Sequence, residues 1–426
     1  MANNIITVNK FLDKFSSLFS NKQFLAFQFF IYAFFYDYKR NCIYSMSKQS
    51  HFDYQSLQYF FSESNWDIDK LNTKRVHILQ SQLTTSSTSS GILAIDDTGC
   101  PKPYAKNTEG AKFQYCGPLK RNEICNVSVA SAFLSDSRSF IVNNKFYKPH
   151  SEFMFGKNDV DFKSKIQLAK ELVYDALDKH IKFSCVATDS WYASVDFIES
   201  LHSKNIIYVS EIRDNRNILF YHPVLRKHCW LQQDELVKLI KKHYWHKVKF
   251  FHRTLDDGRK VSAPVYSFKS QFVDCQVPIK VVVFFDKWRK EDVEDKDFHI
   301  IFSTDTSLHF DTIINFYLMR WGIEHLFKHL KDIFYFDQYQ VRHQKQIQRY
   351  WALCILALSM VYWIKQNGCL TKIIPKKLQT FNQYRDAIKS MIEFDSFICM
   401  SKNRTLLDAH CPIKSNRLLT HLKKAA

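Results

Sequence analysis

Between residues 91 and 213, short apolar runs alternate with amphipathic stretches, and this alternation constrains the fold more than any other feature. "GILAIDDTG" (91–99), "CNVSVASAFLS" (125–135) and "SFIVNNKFY" (139–147) read as strands. "DFKSKIQLAKELVYDALDKH" (161–180) has helical spacing. "FSCVATDSWYA" (183–193) reads as a strand ending at Asp189, "SVDFIESLHSK" (194–204) as a helix and "NIIYVSEIR" (205–213) as a strand. Strands and helices in this order predict an α/β domain. The first apolar run ends in two carboxylates, Asp96 and Asp97, so a buried strand is expected to open into a site there.

The flanks differ in texture. Residues 1–80 read as helical, with an apolar run at Phe24–Tyr36 and a polar break at Ser62–Asn65. The Ser/Thr-rich run "SQLTTSSTSSG" (81–91) reads as a linker. From about 217 to 296 the pattern becomes short strands, with a hairpin around Asp256–Gly258, so a β-rich insertion is expected. "FHIIFSTD" (298–305) returns to the main sheet. The expected organisation is a helical DNA-binding region over 1–88, a catalytic domain formed by 89–216 and 297–365, an insertion over 217–296, and a basic C-terminal region over 366–426.

"YLMRWGIEHLFKHLK" (317–331) reads as one amphipathic helix. At about 100° per residue, Tyr317, Arg320, Glu324 and Lys331 fall within an arc of roughly 60°. Phe316, Met319, Ile323, Leu326, Phe327 and Leu330 fill the adjoining, core-facing arc. The polar stripe therefore borders the buried face, where a cleft would lie. An exposed ion-pair face would give the same spacing, since Arg320 and Glu324 are i,i+4 neighbours.

The charge balance points to an anionic partner. Sixty Lys and Arg against 42 Asp and Glu leave a net charge of +18, which favours nucleic acid first and a membrane surface second. The apolar runs Phe24–Tyr36 and Tyr350–Ile364 fall short of the roughly 20 residues that span a bilayer, so they read as buried helices and no membrane role is expected. The 11 cysteines are scattered and form no C-x-x-C pair, which argues against a zinc framework or a secreted disulfide scaffold. With no signal peptide read, reduced thiols in a bacterial cytoplasm, close to the nucleoid, are expected.

Asp96/Asp97, Asp189 and Glu324 are the acidic groups placed to converge. Carboxylates without His or Cys partners suit Mg²⁺ or Mn²⁺. Two such ions would serve an in-line phosphoryl displacement. Strand alternation does not choose between Asp96 and Asp97, because a buried sheet is covered on both faces. His325 and His329 have metal-compatible i,i+4 spacing but point away from Glu324, so solvated or phosphate-contacting roles are expected. Asp305 and Glu211 are expected to cap or support rather than ligate. "KKHYWHKVKFFHR" (241–253) has the mixture found in nucleic-acid grooves, though an edge strand guarded by lysines reads almost as well.

These motifs resemble those of DDE transposases of the bacterial insertion-sequence type, in the IS4-like superfamily and its IS701-like branch. "IDDTG" is similar to the first-aspartate motif, in which the catalytic Asp precedes Thr, and this favours Asp97. "TDSWYA" is similar to the second-aspartate motif, and residues 317–331 to the Tyr-x2-Arg-x3-Glu-x6-Lys signature. "SLQYFFSESNWD" adds an N-terminal likeness, so the resemblance covers about 50 to 360. "GPLKRNEICN" departs from a more Gly-rich family loop, and "TDSWYA" lacks a frequent Gly.

The resemblance implies a ribonuclease-H-like α/β catalytic domain interrupted by a β-rich insertion, with helical regions at both ends. It implies that Asp97, Asp189 and Glu324 hold two Mg²⁺ or Mn²⁺ ions, and that Tyr317, Arg320 and Lys331 contact DNA phosphates. Trp321 and Trp191 become candidates to stack on a flipped base, with core packing the plain alternative. The implied partners are double-stranded DNA, as terminal inverted repeats and target, and a second copy of the chain in a homodimer. The implied activity is cut-and-paste transposition through a hairpin intermediate. A DNA-binding protein that has lost cleavage, or another ribonuclease-H-like nuclease, are the competing expectations.

Overall fold

The computed structural model describes residues 8–36, 42–48, 52–254, 258–294, 297–370, 378 and 380–402, with side chains as far as residue 393. The expected basic residues Arg404, Lys414, Arg417, Lys423 and Lys424 lie outside the described residues, as do Asp256 and Asp257 of the expected hairpin turn and the side chain of Lys402.

The N-terminal helices are α1 (Val8–Leu12), α2 (Asn21–Ala33), α3 (Ile43–Ser47), α4 (Tyr54–Ser62) and α5 (Ile68–Gln80). Capping sets their starts. Ser20 and Gln23 form a capping box at α2, while Asp53 and Asp67 cap α4 and α5. Residues 81–91 are pinned to the body of the protein and do not act as a loose linker. Thr85 is fully buried and donates to Leu79 O, Ser87 bonds Gln80, and Arg138 Nη1 donates to Ser86 O at 2.6 Å.

The strands are β1 (Ile92–Pro101), β2 (Lys112–Cys116), β3 (Arg121–Leu134) and β4 (Ser139–Tyr147). Helix α6 (Lys165–Asp178), β5 (Val186–Thr188), α7 (Val195–His202) and β6 (Tyr208–Glu211) follow. β1, β5 and β6 are mutually parallel, and β3 runs antiparallel between β1 and β4. This β4-β3-β1-β5-β6 order with its crossover helices is a mixed α/β fold of the ribonuclease-H-like kind.

The β-rich block does not form a sheet of its own. β7 (Ile218–His222), β8 (Lys227–Leu231), a helix α8 (Gln233–Leu239), β9 (Lys249–Thr254), β10 (Lys260–Phe272) and β11 (Cys275–Phe285) lead to β12 (Phe298–Ser303). β12 pairs antiparallel with both β6 and β11, so one twelve-stranded sheet runs through the described residues.

Helices α9 (Phe310–Met319), α10 (Gly322–Phe334), α11 (Gln344–Gln366) and α12 (Phe381–Lys402) complete the fold. α11 is long and apolar enough to cross a membrane by length and composition, more than the run Tyr350–Ile364 suggested, yet 94% of its apolar window is buried inside the protein. It packs against α2, α4, α5, α10 and β4. Two buried arginines fasten the N-terminal helices to this body. Arg349 on α11 donates to the carbonyls of Phe60, Phe61, Ser64 and Trp66. Arg75 on α5 donates to the carbonyls of Ile141 and Val142 and to Ser359 Oγ. Burial pushes the Arg75 guanidinium down to about 9, with Asp175 opposing the shift.

Candidate active site

The stretch 317–331 is two helices and not one. Arg320 and Trp321 form a turn between α9 and α10, where N–H groups reach back three residues: Arg320 N to Tyr317 O, Trp321 N to Leu318 O, Ile323 N to Arg320 O and Glu324 N to Trp321 O. The break rotates the buried face. Tyr317 and Arg320 are buried, at 6% and 5% exposure, while Phe316 and Met319 of the expected apolar arc are only half-buried. The break also starts a new helix at Gly322, so Glu324 stands in a first turn, where the helix dipole favours a carboxylate.

β1 brings the aspartates in. Asp96 and Asp97 lie mid-strand, because pairing with β3 carries β1 on to Pro101. β5 pairs with β1 only at Leu93 and Ala94 and stops at Thr188, so Asp189 emerges beside the middle of β1. Asp189 then caps the turn that follows, accepting from Trp191 N at 3.1 Å.

Neighbouring residues on a strand face opposite ways, and here the two aspartates have different partners. Asp96 Oδ2 lies 3.6 Å from Arg320 Nη1, and Glu324 Oε1 lies 3.4 Å from the same nitrogen. Asp97 Oδ2 instead pairs with Lys165 Nζ at 2.9 Å, and Asp97 Oδ1 accepts from Tyr192 Oη at 2.9 Å. The structure thus brings Asp96, rather than Asp97, to Arg320 and Glu324. Burial pushes Asp96 up to about 8, the charges of Asp189 and Asp97 push the same way, and Arg320 opposes them. Asp189 is also raised, first by burial and then by Asp97, against the pull of Arg320.

The rest of the signature is tied to the protein itself. Tyr317 Oη donates to Glu211 Oε2 at 2.9 Å, and Lys331 Nζ donates to Gly99 O at 2.7 Å. The missing side chain of Gly99 makes room for β2 instead, since a Cβ there would meet Cys116 Sγ at 2.7 Å. Glu211 Oε1 meets His299 Nδ1 at 3.2 Å, so Glu211 belongs to the site's polar network. Burial raises the Glu211 carboxyl, but hydrogen bonds from His299 and Tyr317 outweigh it and bring it below its ordinary value. Trp321 and Trp191 are half-exposed, at 52% and 46%, so both rings are available to a ligand. His329 is half-buried and stacked on Phe381 at 4.4 Å rather than solvated, and burial lowers its pKa.

The donor set suits a hard cation. Asp96, Asp189 and Glu324 supply only oxygens, and burial raises the pKa of both aspartates. Among the described residues, no three His, Cys, Asp or Glu side chains are gathered as a ready-made ligand set. Arg320 stands between Asp96 and Glu324, and its buried Nε has no hydrogen-bond partner among the described residues.

The sequence reading passed over Lys165 and Tyr192 and gave Glu211 only a supporting part. Tyr192 sits inside the quoted "TDSWYA" motif; Lys165 is one of several lysines near a helix start, with no local signal to single it out.

Comparison with known proteins follows the same lines. A family model described as DDE superfamily endonuclease matches residues 14–229, and one described as transposase DDE domain matches residues 163–360. The chain is 30% identical over 217 residues to a protein of Microchaete diplosiphon named probable transposase for insertion sequence element IS701. That match covers 50% of this chain and 55% of the relative, so the chain spans about half the length of the curated relative it matches.

Proposed function

Because the chain belongs to the DDE superfamily of endonucleases, we propose that it is the transposase of an insertion sequence, cutting double-stranded DNA at the element's terminal inverted repeats and joining it to target DNA. The observation that carries this reading is the shared grip of Arg320 Nη1 on Asp96 and Glu324, with Asp189 close enough to raise the pKa of Asp96.

In this reading Asp96, Asp189 and Glu324 hold Mg²⁺ or Mn²⁺, with Asp96 taking the place that the motif resemblance gave to Asp97. When bound, two such ions supply an activated water or hydroxyl and stabilise the leaving oxygen. Arg320 holds Asp96 and Glu324 in register and offers its guanidinium to the scissile phosphate when DNA enters. Tyr317 is held ready by Glu211, and Lys331 by Gly99 O; each exchanges that partner for a phosphate when DNA enters. Trp321 and Trp191 offer half-exposed rings to a base unstacked beside the cut. Excision by cut-and-paste through a hairpin, in a homodimer that brings both ends together, completes the proposal. We place it in the bacterial cytoplasm, beside the nucleoid where its substrate lies.

The test is cleavage of DNA carrying the gene's own flanking sequences, with Mg²⁺ or Mn²⁺, by the wild type and by Glu324→Gln. Metal-dependent cuts at the ends, lost in the variant while DNA binding persists, support the reading. Binding without cutting in both proteins refutes it.

A further inference from the structure

β1 separates two electrostatic environments. On one face Asp96 and Glu324 share Arg320, so carboxylates outnumber the cation that pairs them. On the other face Asp97 pairs with a lysine. Asp97 is opposite Val129, and Val129 opposite Lys145; Gly99 is opposite Val127, and Val127 opposite Tyr147. Directly opposed residues of antiparallel strands share a face, so Lys145 and Tyr147 lie on the Asp97 side. Lys165 joins them from the first position of α6, fixed by the Ser164–Gln167 capping box.

The Lys165 ammonium is closely surrounded. It pairs with Asp97 at 2.9 Å and lies 5.3 Å from the centre of the Trp191 ring and 5.5 Å from that of Tyr147. Tyr192 donates to the other oxygen of Asp97, so that carboxylate holds Lys165 through one oxygen and Tyr192 through the other. Trp191 is half-exposed and two residues beyond Asp189, while Asp97 adjoins Asp96. Both anchors of this cluster are therefore chain neighbours of the acidic site.

We propose that Lys165 and Lys145, with the rings of Trp191 and Tyr147, form a subsite for the phosphate of an unpaired DNA nucleotide on the α6 side of β1, with Asp97 holding Lys165 in place until the strand arrives. This rests on the proposed DNA-cutting function and adds Lys165, Lys145 and Tyr147 to the contact already given to Trp191. A cation beside an exposed aromatic face, with a second lysine on the same face of the sheet, suits a single strand: the phosphate takes the ammonium and the base takes the ring. Asp97 serves as the counter-ion that the phosphate replaces.

The experiment measures binding of the full chain to a short fluorescent single-stranded oligonucleotide of mixed sequence by anisotropy, across a range of salt. Lys165→Met is expected to weaken binding roughly tenfold and to reduce the salt slope by about 0.7, the value for one phosphate on a single strand. Lys165→Arg is expected to restore both. Asp97→Asn is expected to bind as tightly as the wild type or more so, because the lysine is freed. Lys145→Met repeats the measurement if Lys165→Met fails to fold.

Wild-type affinity and slope in both lysine variants would overturn the proposal. So would an Asp97→Asn loss as large as that of Lys165→Met, which would make the pair structural. End cleavage by a wild type whose binding ignores Lys165 overturns this subsite alone. Lysine-dependent binding without any cleavage overturns the proposed activity and leaves the subsite standing.

Discussion

Asp96 and Glu324, far apart in sequence and on different elements, meet at one atom, Nη1 of Arg320, at 3.6 and 3.4 Å. Each carboxylate's position therefore depends on the guanidinium. Arg320→Lys keeps the charge but loses the planar group that reaches both oxygens. End cleavage is expected to fall at least tenfold, about 1.4 kcal/mol or more in the barrier, while DNA binding changes little. Parallel cleavage and binding assays check this.

The raised Asp96 carboxyl makes stability depend on pH with a definite sign. Its folded pKa of about 8 lies above the ordinary 3.8, so the folded state holds a proton that the unfolded chain has lost between those values. Stability from this group is thus lost as pH rises through that window. Asp96→Asn removes the dependence. Its stability advantage over the metal-free wild type is expected to grow between pH 5 and pH 8 by on the order of 4 kcal/mol at most. Urea unfolding at the two pH values measures it.

Metal should act through the same residue. Mg²⁺ or Mn²⁺ that binds only the folded state raises the melting temperature in proportion to occupancy. The rise is expected in the wild type at pH 8, to be smaller at pH 5 where Asp96 holds its proton, and to be largely lost in Asp96→Asn. Asp97→Asn is expected to retain it. Thermal melts with and without chelator separate these cases.

Glu211 and His299 define a second window. The Glu211 carboxyl is lowered, so its contribution is present above the ordinary 4.5 and is lost as pH falls through the depressed value. His299 is raised, chiefly by its hydrogen bond to Glu211, so its contribution is complete below the ordinary 6.5 and is lost as pH rises through the elevated value. The pair is expected to hold Tyr317 best between those limits. Glu211→Gln should flatten the pH profile of DNA binding there, and Tyr317→Phe should reproduce the effect if Glu211 acts through the phenol.

Arg349 should matter for stability and not for chemistry. Arg349→Met leaves four carbonyls without their shared donor. A loss of about 3 kcal/mol or more is expected. Denaturant midpoints should drop, with the N-terminal helices becoming protease-sensitive first.

Much of the architecture was legible because local pattern and tertiary structure agree. β4 spans Ser139–Tyr147, the run read from alternation alone, and α6 falls within the periodic stretch 161–180. β1 was read as ending near its two carboxylates because the apolar run stops there, whereas pairing with β3 carries the strand on to Pro101. β2 was not read, since five residues, Lys112–Cys116, leave too short a pattern to stand out. The turn at Arg320–Trp321 has no proline to announce it, and the apolar spacing runs on across it. Which aspartate meets Arg320 and which meets Lys165 follows from the placement of α10 and α6 relative to β1, a property of topology that no local spacing carries. Lys165 meets Asp97 across 68 residues of sequence, a contact no local pattern reveals.

The continuous sheet also limits how such chains can change in length over their history. β6, β12 and β11 are joined rung by rung, and a residue gained or lost inside any of them would turn every later side chain to the opposite face. Length variation among descendants should therefore collect in the connections, such as the stretch between β11 and β12, while the strands themselves keep their count. A lineage could reshape the outer hairpins freely, but it could not discard the β-rich block without exposing the β12 edge beside Glu211.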